Sequence, residues 1–352
     1  MLDPAALARL TVLRVELRAL EPQLIPAFAG SALHGALGRA LWHTACSFRA
    51  RAECPGCPLF GRCAYPALFA ARLPEGAVLG FAGVNEQAPR PMVLAPEPGW
   101  LRPSGRSILL RAGEVFPFRL TLIGSAWREL PALAAALNQL AAQGIGRALE
   151  TPPSASSRPR RPPLALARLI GQPRGELLYE DGRFTLAPAR ELAWPISQPP
   201  ARLRQAAIEV LTPMRLKRDG RIVSRPSAQD FLALLARRAN LLAQIERPGA
   251  ALPADERAVA ASAATLQTVE ANTRLVCVRR FSATQGRKMT WPGIIGRFRW
   301  AGEALGPLWP LLAWGEQAQL GKGTALGFGR YAARPMTEGL RDDTRSGARA
   351  AR

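Results

Sequence analysis

Lysine is almost missing from this chain: Lys217, Lys288 and Lys322 are the only three, and every other basic residue is arginine. Acidic residues are also scarce, 26 against 47 basic ones. Histidine occurs twice, at His34 and His43, so any chemistry that needs an imidazole has a short list of candidates. No run of 18 or more apolar residues occurs, which predicts no transmembrane helix. The opening Met1-Leu2-Asp3-Pro4 lacks a basic stretch followed by an apolar block, which argues against a signal peptide. Five cysteines in such a chain suit a reducing compartment, with thiols serving as metal ligands or core residues rather than disulfides. The expectation is a cytoplasmic protein.

What is present is charge of one sign. The formal net charge is +21, and a surface this basic attracts polyanions, of which nucleic acid is the usual one. An acidic membrane is the competing partner, but no basic amphipathic helix or lipidation signal supports it. At 352 residues with 48% apolar content, the chain is long enough for two domains, each with a core.

Along the chain, Thr11 to Leu17 alternates apolar and polar residues and predicts a half-buried strand. Ser31 reads as the N-cap of a helix over Ala32 to Thr44, with Leu33, Leu37 and Leu41 on one face. The Cys-, Pro- and Gly-rich stretch 46–69 reads as irregular, and short strands are expected near 78–82, 91–95 and 107–111. Phe116 to Leu122 predicts a strand feeding a helix from Trp127 to Gln143, ended by Gly144. Residues 151–163 read as an exposed basic loop, and Pro195, Pro199 and Pro200 as a domain boundary. The order then restarts: strand 203–216, a turn at Asp219-Gly220, helix 227–245, strands 269–281 and 293–300, helix 305–317 and strand 328–332. Two tandem ferredoxin-like (RRM-like) α+β domains satisfy this order, over 1–198 with a Cys-rich insertion at 46–69 and over 199–335; residues 336–352 read as a disordered tail.

The stretch Gly321-Lys322-Gly323-Thr324-Ala325-Leu326-Gly327-Phe328-Gly329-Arg330-Tyr331 carries the most chemistry. Gly321, Gly323, Gly327 and Gly329 keep side chains away, so a backbone or a phosphate can approach closely. Lys322 offers a point charge and Arg330 a forked donor for phosphate oxygens. It is not a Walker A loop, because Gly315 to Gly321 is one residue too long and Gly323 stands where Ser or Thr must bind magnesium. The plain alternative is a glycine-rich turn before a last strand.

This stretch resembles the C-terminal glycine-rich loop of the RAMP superfamily of CRISPR proteins. Three further stretches resemble the superfamily's precursor-CRISPR-RNA processing endoribonucleases: Gly30 to Leu41, the segment Cys63 to Phe69, and Arg279 to Lys288 with Gly293-Ile294-Ile295-Gly296. The resemblance implies tandem ferredoxin-like domains that hold CRISPR repeat RNA and cut the precursor once, without a catalytic metal. The RNA's own 2′-hydroxyl attacks the adjacent phosphate, leaving a cyclic phosphate and a free 5′-hydroxyl. Such a step needs a base, an acid and a cation for the phosphorane.

His34 lies between small residues in the first turn of the first helix, where RNA can approach; a histidine ordinarily titrates near 6.5 and can act as base or acid. His43 is nine residues on and points away, toward Cys46. His34 is therefore the candidate catalytic base or acid, with Lys322 and Arg39 as phosphate-stabilising cations; a half-buried helix histidine without a role is the alternative. Gln319, just before the loop, stands where many relatives are expected to carry His.

Cys46, Cys54, Cys57 and Cys63 form C-x7-C-x2-C-x5-C, enough for a structural zinc; an iron–sulfur cluster or four unligated thiols are the alternatives, and His43 can replace Cys46. Cys277, in an apolar run, reads as core. Arg279, Arg280, Arg287 and Lys288 surround Phe281 and suit RNA binding, with a solvated strand end as the alternative. Two competing functions remain: a non-catalytic RAMP subunit holding CRISPR RNA among effector subunits, and a zinc hydrolase, which four thiolate ligands disfavour because no position stays open for water.

Overall fold

A computed structural model describes residues 1–48, 54, 56–77, 88–102, 105–149, 160–185, 189–218, 221–282 and 287–336; side chains at 280–288 lie outside that description. The expected strand at 78–82, most of the basic loop 151–163, the turn at Asp219-Gly220 and the tail beyond Met336 fall outside the described residues.

The first half contains β1 (Leu10–Ala19), β2 (Gln23–Ile25), α1 (Gly30–Ala45), α2 (Ala64–Phe69), β3 (Met92–Pro96), β4 (Ile108–Leu110) and β5 (Val115–Ile123). It continues with α3 (Leu130–Gln143), β6 (Arg147–Ala148), β7 (Leu164–Gln172), β8 (Glu176–Glu180) and β9 (Arg183–Phe184). The second half contains β10 (Gln205–Met214), β11 (Lys217–Arg218), β12 (Arg221–Ile222), α4 (Ala228–Glu246) and α5 (Glu256–Ala264). β13 (Gln267–Ser282), β14 (Arg287–Ala301), α6 (Leu305–Ala318) and β15 (Tyr331–Met336) complete it.

Two antiparallel sheets dominate, ordered β3-β5-β1-β7-β8-β9 and β13-β14-β10-β15. Each carries helices, and together they form tandem ferredoxin-like halves, as the residue pattern predicted. α1 and α3 bury Leu33, Leu37, Leu133 and Leu137 against Leu13, Val15, Leu17 and Phe118 on one face of the first sheet. α4 and α6 join β10 and β14 in a second core that also takes in Leu7, Leu10, Val93 and Ile123 of the first half. The helices of the second half thus lie between the two sheets. Each large apolar side chain buried there contributes about 1.5–3 kcal/mol. Directional bonds fix the packing: the Trp314 indole N–H donates to the Ala8 carbonyl at 2.8 Å, and the Tyr331 hydroxyl to the Leu312 carbonyl at 2.8 Å.

Several elements differ from expectation for physical reasons. β1 is buried on both faces except near Arg14 and Arg18, because it is a central strand covered on two sides. Glu16 is only 4% exposed and accepts from Arg14 at 2.8 Å and Arg168 at 2.7 Å, so the polar positions mark a row in which two half-exposed arginines cover a buried acid. α1 begins at Gly30, before Ser31, and has no side-chain cap. The 46–69 stretch is not wholly irregular, since Ala64 to Phe69 forms a helical turn and a half. α5 and the β7–β8 pair were not legible in the pattern. Cys277 is exposed, not core: it lies on the edge strand β13, where Val276 and Val278 take the buried side. At the junction of the halves, the Trp194 N–H donates to the Leu10 carbonyl, while Ser197 accepts from the Trp309 indole. No described helix is long and apolar enough to cross a membrane.

Candidate nucleic-acid interface

The glycine-rich loop leaves α6 at Gln319, which has a positive φ (59°), and returns into β15. Gly321, Gly323, Gly327 and Gly329 all have φ between 78° and 99°. Much of what approaches these glycines is the protein's own backbone. A Cβ at Gly327 would lie 2.7 Å from the Leu94 carbonyl oxygen, and one at Gly329 would collide with the Leu320 carbonyl. The loop is stitched to the end of β10: Lys322 N–H donates to Arg215 O (2.9 Å), Gly329 N–H to Pro213 O (3.0 Å), and Arg330 N–H to the Thr212 hydroxyl (2.9 Å).

The loop also meets the first half. A Cβ on Gly30 would strike the Leu326 carbonyl, so the first residue of α1 is glycine for close approach. Phe28 and Phe328 have ring centroids 4.6 Å apart, and Trp291 adds a third ring 5.5 Å from Phe328. Leu101, Val278 and Leu326 complete a small apolar cluster between the halves. Arg215 lies over Trp291 at 4.2 Å and donates to the Pro292 carbonyl, which pins the loop's floor.

His34 lies one helical turn beyond Gly30 and so shares its side of α1. It is half-buried, its ring 4.9 Å from Phe69 of α2. Arg39 is exposed, and its guanidinium folds back toward Gly35. Partial burial, together with Arg161 alongside, holds Arg39 below the ordinary arginine pKa. Lys322 is exposed on the loop. The fold therefore brings the loop to the His34 end of α1, although the two are almost 300 residues apart in the chain, and the Arg39 guanidinium lies beside Gly35, the residue after His34.

Arg330 is placed differently. It is 7% exposed and donates to Glu97 at 3.2 Å; Arg119 approaches the same carboxylate at 4.0 Å and donates to Gln317 at 2.6 Å. Burial, then the neighbouring Arg330, pull Arg119 down to about 10, opposed by Glu97 and Glu316. Arg119, Glu97 and Arg215 were missed by the sequence reading. The available signal was an arginine in the middle of the apolar strand Phe116 to Leu122.

Arg279 is exposed on β13. Arg280, Arg287 and Lys288 extend the β13–β14 hairpin in backbone pairs with Met289, Ser282 and Phe281, and their side chains lie outside the described residues.

The four cysteines gather at the far end of α1. Cys46 follows α1 and Cys63 precedes α2, while Cys57 N–H donates to the Cys54 carbonyl in a turn. Burial first, then Cys63, Cys46 and Cys57, push the Cys54 thiol up. A zinc site needs sulfurs about 2.3 Å from one point. Among the described residues, no group of three or more His, Cys, Asp or Glu side chains is disposed to hold a metal ion, so the zinc expectation finds no support in this arrangement. None of the five cysteines is joined in a disulfide.

Two family models match the chain: the AF_1859_N N-terminal domain over residues 7–187, and the CRISPR-associated endoribonuclease Cas6 over residues 208–331. Among solved structures, Thermus thermophilus Cas6 aligns with TM-score 0.50 and 18% identity over 93% of this chain and 99% of its own. A Cas6 product complex aligns with TM-score 0.50 and 18% identity, over 93% of this chain and 100% of that one. A chain of a partial Cas6-RT-Cas1–Cas2 complex reaches TM-score 0.52 at 11% identity, over 95% of this chain and 47% of that one. At these identities the likeness is one of fold. No curated protein sequence matches significantly.

Proposed function

We propose that this chain, whose residues 208–331 match the CRISPR-associated endoribonuclease Cas6, is a RAMP-type CRISPR endoribonuclease that binds CRISPR repeat RNA and cuts precursor CRISPR RNA without a metal ion. The observation that carries the reading is the junction itself: the loop bearing Lys322 closes on Gly30, one turn before His34 on α1. A related Cas6 has been solved as a product complex, which agrees with a fold that retains cut RNA.

In this reading the repeat RNA lies along the junction, drawn by the excess of basic charge. The 2′-oxygen attacks the adjacent phosphorus while the bond to the 5′-oxygen breaks, giving a 2′,3′-cyclic phosphate and a 5′-hydroxyl. His34 either takes the proton from the 2′-hydroxyl or supplies one to the leaving 5′-oxygen. Lys322 and Arg39 neutralise charge on the phosphorane; both are exposed, so a phosphate reaches them without displacing a protein partner from the core. Arg330 does not fit that role equally well, because its guanidinium already serves Glu97. DNA is refused because it lacks the nucleophile.

The test is cleavage of end-labelled repeat RNA in EDTA by wild type and His34→Ala, with product ends mapped. One cut leaving a cyclic phosphate, slowed by the substitution, supports the reading. Tight binding without cutting would replace it with a non-catalytic RNA-holding subunit, and unaltered cutting by the variant would remove His34 from the mechanism.

A further inference from the structure

The second sheet has a long edge. β13 runs for 16 residues and, among the described strands, hydrogen-bonds only to β14, so its outer backbone N–H and C=O groups face away from the sheet. An uncovered edge of this length is a template for another strand. Most residues from Gln267 to Arg279 are exposed. Among the described residues of the second half, the exposed large apolar side chains are Val269 (48%) and Leu275 (55%), and both lie on this strand.

Their spacing identifies the occupant. In an antiparallel pair the numbers of facing residues have a constant sum. A two-fold axis at Asn272 places Val269 of one copy opposite Leu275 of the other, and Glu270 opposite Arg274, each pair occurring twice. One axis therefore matches apolar to apolar and acid to base. The pairs also agree in face. Glu270, Asn272 and Arg274 lie on one side, while Leu275, paired with the buried Ile294, lies on the side toward the helices; strand alternation back from Glu270 puts Val269 on that side too. Glu270 already stands 4.0 Å from Arg299 of β14, so Arg274 of the second copy would extend a row of alternating charge across the sheets. On the helix side the Thr273 hydroxyl donates to the Ser224 carbonyl, a contact made by the side chain and not by the strand's outer backbone edge.

We propose that two copies of this chain pair antiparallel through β13 about Asn272, joining their four-stranded sheets into one of eight strands. A second copy is favoured over RNA as the occupant of 269–275 because that stretch offers two apolar residues and balances Glu270 against Arg274, where a phosphate backbone needs an excess of cations. The inference stands independently of the cleavage reading.

The test is the mass of the full-length protein by sedimentation equilibrium in about 0.15 M salt, enough to screen the long-range repulsion of two basic chains while close pairs persist. A dimer is expected. Glu270→Arg and Arg274→Glu alone should each weaken it about tenfold or more, since each turns two attractive pairs into two repulsive ones. The double exchange should recover it. With Cys277→Ser to remove the exposed thiol, Asn272→Cys should form a covalent dimer on oxidation, because facing Cα atoms lie about 4.5–5.5 Å apart and disulfides span about 4.4–6.8 Å. Thermal melting of each variant verifies folding. A monomer, a dimer found only with RNA, or a dimer that is indifferent to the charge exchanges and fails to crosslink through Asn272→Cys would overturn the proposal.

Discussion

Lys322 and Arg330 stand eight residues apart in one glycine-rich segment and are put to opposite uses. Lys322 is solvated at the loop's near end, with its backbone N–H tied to Arg215. Arg330 is 7% exposed and, with Arg119, shares the Glu97 carboxylate at the interface of the halves. The difference teaches that a basic residue beside glycines is not by itself a phosphate ligand. Here the glycines first let the protein's own carbonyls, Leu94, Leu320 and Arg215, come close, and only the part of the loop left outside that packing is free for RNA.

The largest effect should come from the side of the junction that faces Lys322. His34→Ala is expected to slow cleavage by about 10²–10⁴, the usual worth of a positioned proton carrier, with RNA affinity nearly unchanged in filter binding. At the buried end, Glu97→Ala leaves Arg119 and Arg330 without their shared acid. Denaturant unfolding should show a loss of about 2–3 kcal/mol, discounted from the fully buried range because the Glu97 side chain keeps 20% of its exposure. Lys322→Ala should leave stability unchanged and reduce the salt dependence of RNA binding by about one counterion, read from the slope of log affinity against log salt. Equal loss of stability in Glu97→Ala and Lys322→Ala would erase the contrast between the two ends. Excess EDTA should leave the cleavage rate where it was, measured under single-turnover conditions; a metal-dependent cut would show a steep fall.

Much of the fold could be read in advance because it rests on local periodicity. The helices at 130–143, 228–246 and 305–318 and the strands at 92–96, 115–123 and 205–214 have the patterns their burial demands. β7, β8 and α5 escaped: β7 and β8 carry alternation broken by register shifts, and α5 is a nine-residue run of small residues with little apolar contrast. At the site, His34, Arg39 and Lys322 were found from residue type and motif. Glu97 and Arg119 were not, since nothing local in an acidic residue after Pro96 or a lone arginine in a strand says that they meet.

The amino-acid sequence alone determined that this protein is basic, rich in arginine, built of two α+β halves, and equipped with a glycine-rich segment ahead of its last strand. Periodicity, composition and motif are properties of neighbours in the chain, and these features depend on nothing else. Only the tertiary structure decided which side of each motif is open. Packing α6 between the sheets buried Arg119 and Arg330 around Glu97, and docking the loop on Gly30 joined Lys322 to the His34 end of α1. Leaving β13 at an edge exposed Val269, Leu275 and Cys277. The reason is one of range: burial and charge pairing depend on which distant segments share a space, and that is set when the halves pack.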